Sequence, residues 1–196
     1  MNTGKIFVVA GPSGVGKDTI VCQIKERLPI FYSPISVTTR NPRPSEKDGV
    51  DYFFVSEEEF RQMIKNNEFL EFAHVHKWSF GTPLKPVEDA LQKGQSVLMI
   101  IDQQGAKLVK KLMPKAILIY VQYERGQLEE KIKARLQQDQ NARGEVSEKE
   151  IQMRIRTARK EEKTKHFFNY VVTNFDGHLY QTVQRVQNII LAELVK

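Results

Sequence analysis

Cysteine is almost absent from this chain, and hydrophobic runs long enough to span a membrane are missing. Cys22 is the one cysteine, which excludes an intrachain disulfide and a cysteine-based metal site. Its position between Val21 and Ile24 on an apolar helical stretch predicts that it belongs to the core. Apolar runs such as Ile6–Ala10 and Ala116–Val121 are far shorter than the ~20 residues that cross a bilayer. We therefore expect no membrane partner.

Signals for secretion and for zinc binding are also lacking. The residues before Ile6 do not form the charged region, apolar run and cleavage site of a signal peptide, so a cytoplasmic location is expected. The four histidines do not have the spacing of zinc ligands and are interpreted as structural or surface residues. They are His74, His76, His166 and His178.

The chain carries a formal net charge of +6, which two kinds of partner would explain. Its basic residues are spread over several segments and do not form one stripe interleaved with aromatics, so we expect no nucleic-acid partner. Small substrates that carry phosphate would account for the charge equally well. A length of 196 residues suits a single α/β domain, and the sequence is compatible with a monomer or a homo-oligomer.

Short β-rich runs alternate with helical patterns along most of the chain. This alternation predicts an α/β fold in which helices flank a parallel sheet. A helix is expected from about Lys17 to Leu28, where Pro29 stops it. The predicted core strands are Ile6–Ala10, Ser96–Ile101, Ala116–Val121 and Tyr170–Thr173.

Two segments interrupt the alternation and predict the domain organisation. The first contains short strand-like pieces and a helix opened by the capping box of Ser56 and Glu59, which indicates an inserted lobe. The second is very polar and predicts a mobile lid, with a helix beginning at the Ser147–Glu150 capping signature. We therefore expect one domain over 1–196, with a core (1–32 and 83–196), a lobe (about 33–82) and a lid (about 137–150).

A glycine-rich loop follows the first strand immediately and opens the first helix. This context predicts a phosphate loop of the P-loop NTPase type, in which backbone N–H groups surround phosphate oxygens and Lys17 reaches the terminal phosphates. Asp18 stands where such loops usually carry a hydroxyl ligand of Mg²⁺, and Thr19 beside it offers a hydroxyl. The loop reads Gly11, Pro12, Ser13, Gly14, Val15, Gly16, Lys17, Asp18 and Thr19, all predicted to bind ATP.

An acid and a pair of arginines are further candidates for the site. Asp102 ends an apolar strand, where ligands of open α/β sheets bind. It could orient Mg²⁺, hold an acceptor nucleotide, or cap the helix that starts near Gln103. Arg40 and Arg43 lie in a proline-restricted segment, and their fork-shaped donors suit a phosphate monoester.

Several separate motifs in the same order give the chain a resemblance to guanylate kinases along nearly its whole length. Besides the phosphate loop, they are the run Ser36–Arg43, Gly49–Val55, Glu68–Glu71, Phe80–Thr82, Asp102–Gly105 and Arg143-Gly144. The resemblance implies phosphoryl transfer from ATP to GMP, with dGMP as a candidate second acceptor and Mg²⁺ as the cofactor.

The resemblance also assigns roles in binding the acceptor. Glu71 and Thr82 would read the base, because guanine presents N1–H and N2–H₂ to a carboxylate and O6 to a hydroxyl. Phe80 stands where the family has a tyrosine, and Ile100 where it tends to have an acid; with Asp18 these are the departures from the family pattern. The expected GMP-binding residues are Ser36, Arg40, Arg43, Tyr52, Glu71, Phe80, Thr82 and Asp102, and the candidate metal ligands are Asp18, Thr19 and Asp102.

The remaining assignments concern catalysis and the donor nucleotide. Phosphoryl transfer depends on positioning and charge neutralisation, for which the resemblance implies arginines that fold over the phosphates. Asn174 matches a residue that contacts the ATP adenine, although a simple turn after the last strand would also explain it. The expected catalytic residues are Lys17, Arg40, Arg135, Arg143 and Arg154.

Two other functions compete with GMP phosphorylation. A kinase for a related acceptor such as ribose 1,5-bisphosphate could use the same scaffold and carry Asp18 after the lysine. GMP is favoured instead by the retained residues Arg40, Arg43, Tyr52, Glu71 and Thr82. A non-catalytic interaction module of the same fold would typically have a damaged phosphate loop, whereas Lys17 is present here.

Overall fold

Two four-stranded sheets organise the chain in the computed structural model, which describes residues 4–75, 77–143 and 147–196. At 135 and at 137–143 the description covers the backbone alone. The strands are β1 (Ile6–Ala10), β2 (Val37–Thr38), β3 (Phe53–Phe54), β4 (Phe69–Val75), β5 (Trp78–Pro83), β6 (Val97–Ile100), β7 (Ile117–Tyr123) and β8 (Tyr170–Asn174). The helices are α1 (Lys17–Arg27), α2 (Glu57–Lys65), α3 (Leu84–Gln92), α4 (Gln103–Leu112), α5 (Leu128–Arg143), α6 (Glu148–Thr164) and α7 (Leu179–Leu194).

The first sheet contains the apolar strands that the sequence predicts, in the order β6-β1-β7-β8. Every residue of β1 is buried, and β7 pairs in parallel with β8, with Val121 opposite Val172. Continuous apolar strands are typical of a parallel sheet that is covered on both faces. The predicted α/β fold with a parallel core sheet is confirmed.

The second sheet has the order β3-β2-β5-β4 and is mixed. Strand β2 pairs in parallel with β3 and antiparallel with β5, and β4 is antiparallel to β5. The pairing of β4 with β5 places Glu71 directly opposite Thr82. Beside this sheet, Phe60 of α2 packs on Phe69, with their ring centroids 4.6 Å apart. These contacts hold the sheet that carries the predicted base-reading residues.

Capping interactions confirm the starts of α2 and α6, which the capping signatures of the sequence predict. At α2 the Glu59 N–H donates to the Ser56 hydroxyl at 3.2 Å, and the Ser56 N–H donates back to the Glu59 carboxylate at 2.7 Å. At α6 the Ser147 hydroxyl accepts from the Glu150 N–H at 3.3 Å. Within the predicted lid, α5 continues through Arg143, and 144–146 lie outside the described residues, as does His76.

The prediction that Cys22 belongs to the core is wrong. Its side chain is exposed on α1 and lies 3.5 Å from a carboxylate oxygen of Glu26. The buried face of α1 is formed by Ile20, Val21 and Ile24. Cys22 is two residues from both isoleucines, and about 100° of rotation per residue carries it to the other side of the helix.

The structure divides into two compact units. One contains the chain up to Val8 together with Pro29–Ala116, and the other contains Val9–Leu28 together with Ile117–Lys196. The predicted acceptor lobe lies in the first unit, whereas the phosphate loop and the predicted lid lie in the second. The boundaries of core, lobe and lid stay a prediction.

Candidate active site

The phosphate loop turns sharply between β1 and α1. Gly11, Gly14 and Gly16 have φ of 151°, 80° and 93°, in the region that favours glycine. A Cβ on Gly11 would lie 2.1 Å from the Val121 carbonyl oxygen, so this position also requires glycine for close approach to β7. Gly16 is the N-cap of α1, and no side chain among the described residues caps that helix end. The first N–H groups of α1 are therefore suited to phosphate oxygens.

Lys17 begins α1 and is bonded to the loop itself. Its ammonium donates to the Gly11 carbonyl at 2.8 Å and to the Pro12 carbonyl at 2.9 Å. The hydroxyl of Tyr123, the last residue of β7, donates to the Ser13 carbonyl at 2.9 Å. These hydrogen bonds stabilise the turn of the loop. They also hold the Lys17 ammonium against the loop carbonyls.

Asn174 supports the same loop from the end of β8. Its amide donates to the Val15 carbonyl at 3.0 Å and accepts from the buried Thr182 hydroxyl at 2.8 Å. Asn174 therefore does more than turn the chain after the last strand. Thr182 also lines a cavity of about 330 Å³, together with residues that include Phe175 and Arg185. The predicted contact of Asn174 with adenine stays a prediction.

Asp18 and Thr19 lie in the first turn of α1, where both are exposed. A carboxylate in this turn interacts favourably with the positive end of the helix. The same carboxylate repels phosphate unless a cation lies between them. Their roles as metal ligands stay predictions.

Glu71 and Thr82 form a buried pair across β4 and β5. The Thr82 hydroxyl donates to the Glu71 carboxylate at 2.6 Å, and Thr82 is 1% exposed and Glu71 5% exposed. Burial raises the pKa of Glu71 to about 7, the negative charge of Asp102 adds to this, and the Thr82 hydrogen bond opposes it. A carboxylate that is so well shielded from solvent binds N–H donors strongly once it is ionised.

Asp102 follows β6 and is the N-cap of α4. Its carboxylate accepts from the Gly105 N–H at 2.7 Å, and the helix begins at Gln103, so the capping interpretation of the sequence is confirmed. Its assignments to Mg²⁺ and to GMP stay predictions. Gly105 also meets Glu71, because a Cβ on that glycine would lie 2.1 Å from a Glu71 carboxylate oxygen. The two carboxylates thus lie beside the same helical turn.

The two predicted phosphate-binding arginines share one carboxylate, that of Glu46. Arg40 donates to it at 2.8 Å, and the backbone N–H of Arg43 donates to its other oxygen at 2.8 Å. The hydrogen bond from Arg40 is the main cause that holds the pKa of Glu46 below its usual value. Both Arg40 and Glu46 are largely buried, with side chains 13% exposed. Sequence reasoning missed Glu46, although an acid three residues after Arg43 is the available signal.

Aromatic rings surround the Arg40 guanidinium. Its central carbon lies 5.5 Å from the centroid of the Tyr52 ring and 5.8 Å from that of Phe54. Phe80, the family tyrosine position, packs edge-on against Tyr52 with their centroids 6.0 Å apart. Ser36 lies next to this group, since its carbonyl accepts from the Phe53 N–H at 2.9 Å. The structure therefore brings the predicted phosphate-binding residues into one neighbourhood.

Hydrogen bonds of two threonine hydroxyls hold the arginine segment on the second sheet. The Thr38 hydroxyl donates to the Ser79 carbonyl at 3.0 Å and accepts from the Arg40 N–H at 3.2 Å. The Ser79 N–H donates to the Thr39 hydroxyl at 3.0 Å. Buried threonines thus anchor the start of the segment to β5, which explains why two hydroxyl residues precede Arg40.

Of the three predicted lid arginines, only Arg154 has a described side chain. Its guanidinium donates to Glu150 at 2.6 Å, one turn earlier on α6. Its Nε is buried and has no hydrogen-bond partner among the described residues. An unsatisfied buried donor is unfavourable. The side chains of Arg135 and Arg143 lie outside the described residues, and their roles stay predictions.

A glycine loop of this geometry, between a buried strand and an uncapped helix, is typical of P-loop nucleotide-binding proteins. The family model described as guanylate kinase matches residues 3–193. The chain therefore belongs to the guanylate kinase family.

Individual relatives agree with this assignment. A guanylate kinase of Thermus thermophilus is 44% identical over 171 residues, covering 87% of this chain and 74% of the relative. A guanylate kinase of Lactobacillus johnsonii is 40% identical over 194 residues, covering 98% and 91%. The crystal structure of guanylate kinase from Anaplasma phagocytophilum is 29% identical, covers 100% of this chain and 89% of that one, and superposes with a TM-score of 0.78.

Proposed function

We propose that this protein is a guanylate kinase that transfers the γ-phosphoryl group of ATP to GMP. The observation that carries the proposal is the buried pair of Glu71 and Thr82. Guanine offers N1–H and N2–H₂ to the carboxylate and O6 to the hydroxyl. Adenine presents an acceptor at N1 and would leave the carboxylate without donors, which a buried site penalises strongly.

The pair is hydrogen bonded internally before guanine binds. The Thr82 hydroxyl satisfies one Glu71 oxygen at 2.6 Å, so the carboxylate is not left without a donor in the free protein. We propose that guanine N–H groups take over this oxygen while the hydroxyl turns to O6. The exchange replaces one hydrogen bond by several, and any proton that Glu71 holds in the free protein is released to solvent as the carboxylate accepts them.

The GMP phosphate binds Arg40 and Arg43, with Ser36 and Tyr52 beside them. Glu46 and the Tyr52 ring already orient the Arg40 guanidinium, which reduces the entropy lost when phosphate binds. Phe80 lacks the hydroxyl of the tyrosine that the family has at this position, but its ring keeps the aromatic contact with Tyr52.

ATP binds through the phosphate loop and α1. In this proposal Lys17 leaves the loop carbonyls to reach the terminal phosphates, and the N–H groups of the loop bind their oxygens. The adenine takes the cavity lined by Thr182, the hydrogen-bond partner of Asn174, and the cavity volume of about 330 Å³ falls within the usual size of small-molecule sites. Phe175 and Arg185 in its lining provide an aromatic and a cationic surface for a purine ring.

The residues present fit Mg²⁺ that arrives with ATP. Within the described part of the chain no group of three or more acidic, histidine or cysteine side chains could hold a metal by itself. Mg²⁺ is commonly held by one or two carboxylates, water and substrate phosphates, so a full protein cage is not required. Asp18 and Thr19 would hold it on the loop side, with Asp102 as the further candidate. The metal supplies charge neutralisation across the phosphates.

In the reaction, an oxygen of the GMP phosphate forms a bond to the γ-phosphorus as the bond to the β-phosphate oxygen breaks, giving GDP and ADP. The chain contributes position and positive charge, which is most of what phosphoryl transfer requires. Lys17 and Arg154 supply charge in this proposal, together with Arg135 and Arg143. A lid over 137–150 would exclude water, which otherwise competes as acceptor.

The two competing functions are not favoured by the site. Ribose 1,5-bisphosphate has no base to satisfy the Glu71 carboxylate. A non-catalytic interaction module does not require an ordered phosphate loop, whereas Lys17, Tyr123 and Asn174 all form hydrogen bonds to the loop here. Within the described residues no helix has the length and apolar character to span a membrane.

A single coupled assay tests the proposal. ADP release is measured with ATP, Mg²⁺ and, in turn, GMP, dGMP, AMP, UMP and ribose 1,5-bisphosphate. We expect the highest kcat/KM with GMP and measurable turnover with dGMP. Fastest turnover of ribose 1,5-bisphosphate would establish the related kinase instead, and no turnover with any acceptor would favour the interaction module.

A further inference from the structure

Gly105 of helix α4 lies directly against the carboxylate of Glu71, which strand β4 carries. A Cβ placed on it would lie 2.1 Å from a Glu71 carboxylate oxygen, 2.8 Å from Cδ and 3.4 Å from Cγ. The distances to the carboxylate oxygen and to Cδ are far shorter than van der Waals contact. The Glu71 carboxylate therefore occupies the space in which any other residue at this position would carry its side chain.

The same glycine also binds the second acid of the site. Its N–H donates to the Asp102 carboxylate at 2.7 Å, which closes the N-cap of α4. Gly105 thus contacts both acids: its N–H binds the Asp102 carboxylate, and its lack of a side chain leaves space for the Glu71 carboxylate. The position is buried, and the next residue, Ala106, is fully buried as well.

If a side chain were added, the carboxylate would have to move and the backbone would not. Strand β4 is paired with β5, and α4 is held by its cap and by the fully buried Ala106 and Val109. The Glu71 side chain ends in rotatable bonds, so it yields first. The colliding oxygen is the one that Thr82 does not bind, so moving it strains the 2.6 Å hydrogen bond on the other oxygen and turns the carboxylate away from the position that guanine requires.

We propose that Gly105 is a positioning residue that determines specificity for guanine, and this rests on the proposed function of Glu71. Its lack of a side chain is the condition for the carboxylate to lie where N1–H and N2–H₂ can both reach it. A general requirement of the helix for glycine does not explain the residue, because Ala is a better helix former and Gly105 lies inside α4.

The test compares Gly105→Ala with Gln104→Ala, an exposed residue of the same helical turn. Kinetics are measured with GMP and with IMP, which lacks the N2 amino group. For Gly105→Ala we expect KM for GMP to rise at least tenfold, KM for ATP to stay within twofold, and the ratio of kcat/KM for GMP over IMP to fall at least fivefold. Gln104→Ala should match the wild type in all three.

A second comparison separates positioning from damage to the fold. Glu71→Ala removes the side chain that would collide, so Gly105→Ala added to it should leave the melting temperature and KM for GMP unchanged. A wild-type KM for GMP in Gly105→Ala, a parallel rise in KM for ATP, or an equal loss of stability in the Glu71→Ala background would overturn the proposal. If the wild type itself does not phosphorylate GMP, the proposed function fails, while the melting temperatures still test the steric relationship.

Discussion

The Arg40 guanidinium donates a hydrogen bond to the Glu46 carboxylate at 2.8 Å, and the other oxygen of that carboxylate accepts from the backbone of Arg43. One acid therefore sets the positions of both arginines that we assign to the GMP phosphate. Because the pair is mostly buried, its geometry is better defined than that of an ion pair in solvent.

Replacing Glu46 with Gln should weaken GMP binding. The charge-assisted hydrogen bond to Arg40 becomes a neutral one, which costs about 1–2 kcal/mol and leaves the guanidinium less well oriented. We expect KM for GMP to rise about tenfold while KM for ATP changes less than twofold. Glu58→Gln, on an exposed position of α2, is the matched control. Tighter GMP binding by Glu46→Gln would show that the acid opposes phosphate and does not prepare the site.

The stability of the nucleotide-free protein should depend on the protonation of Glu71. Its pKa is about 7 in the folded protein, above its ordinary value of 4.5, so between these values the folded protein binds the proton that the unfolded chain has lost. This contribution is complete below pH 4.5 and disappears as the pH rises through 7, a change on the order of 3 kcal/mol. Urea unfolding of wild type and Glu71→Gln from pH 4.5 to 8 measures it. The same slope in both proteins would contradict the assignment.

Lys17→Ala should abolish turnover without unfolding the protein. The ammonium is bonded to the Gly11 and Pro12 carbonyls, which water can satisfy once the side chain is removed. Loss of a charge that stabilises the transferring phosphoryl group lowers kcat about 10³-fold or more. Circular dichroism and the coupled assay measure the two effects, and Lys25→Ala on the exposed face of α1 is the control. Retained activity in Lys17→Ala would remove the loop from the mechanism.

Asn174→Ala should act on the ATP side alone. The substitution removes the bond to the Val15 carbonyl and leaves the buried Thr182 hydroxyl without its Asn174 acceptor. We expect a loss of stability of about 1–3 kcal/mol and a rise in KM for ATP of about tenfold, with KM for GMP unchanged. Equal changes in both KM values would indicate a general effect on the fold and would contradict support of the loop.

Local features of the sequence predicted structure well. The capping box of Ser56, the N-cap of Ser147 and the glycine loop each depend on residues within about one helical turn, so their chemistry follows from spacing alone. Cys22 shows where such reasoning fails. Its apolar neighbours in the sequence predict that Cys22 is buried. A helix places residues that are two positions apart on opposite sides, however, and the buried side of α1 is the one that carries Ile20 and Ile24.

Contacts between distant segments could not be predicted from spacing. Glu71 and Thr82 were paired by family resemblance, and only the antiparallel register of β4 and β5 shows that they face each other across neighbouring strands. Glu46 was missed because its role depends on the fold of the Arg40 segment, and not on any pattern of its own.

The sequence alone determined the four strands of the parallel core sheet, the phosphate loop and the family, because these depend on residue types at short and regular intervals. Only the tertiary structure decided that Gly105 makes room for Glu71, that Glu46 joins Arg40 to Arg43, and that Asn174 supports the loop. In each of these contacts the distance between the two groups is set by the packing of strands and helices and by the path of loops. A local sequence pattern does not predict that distance.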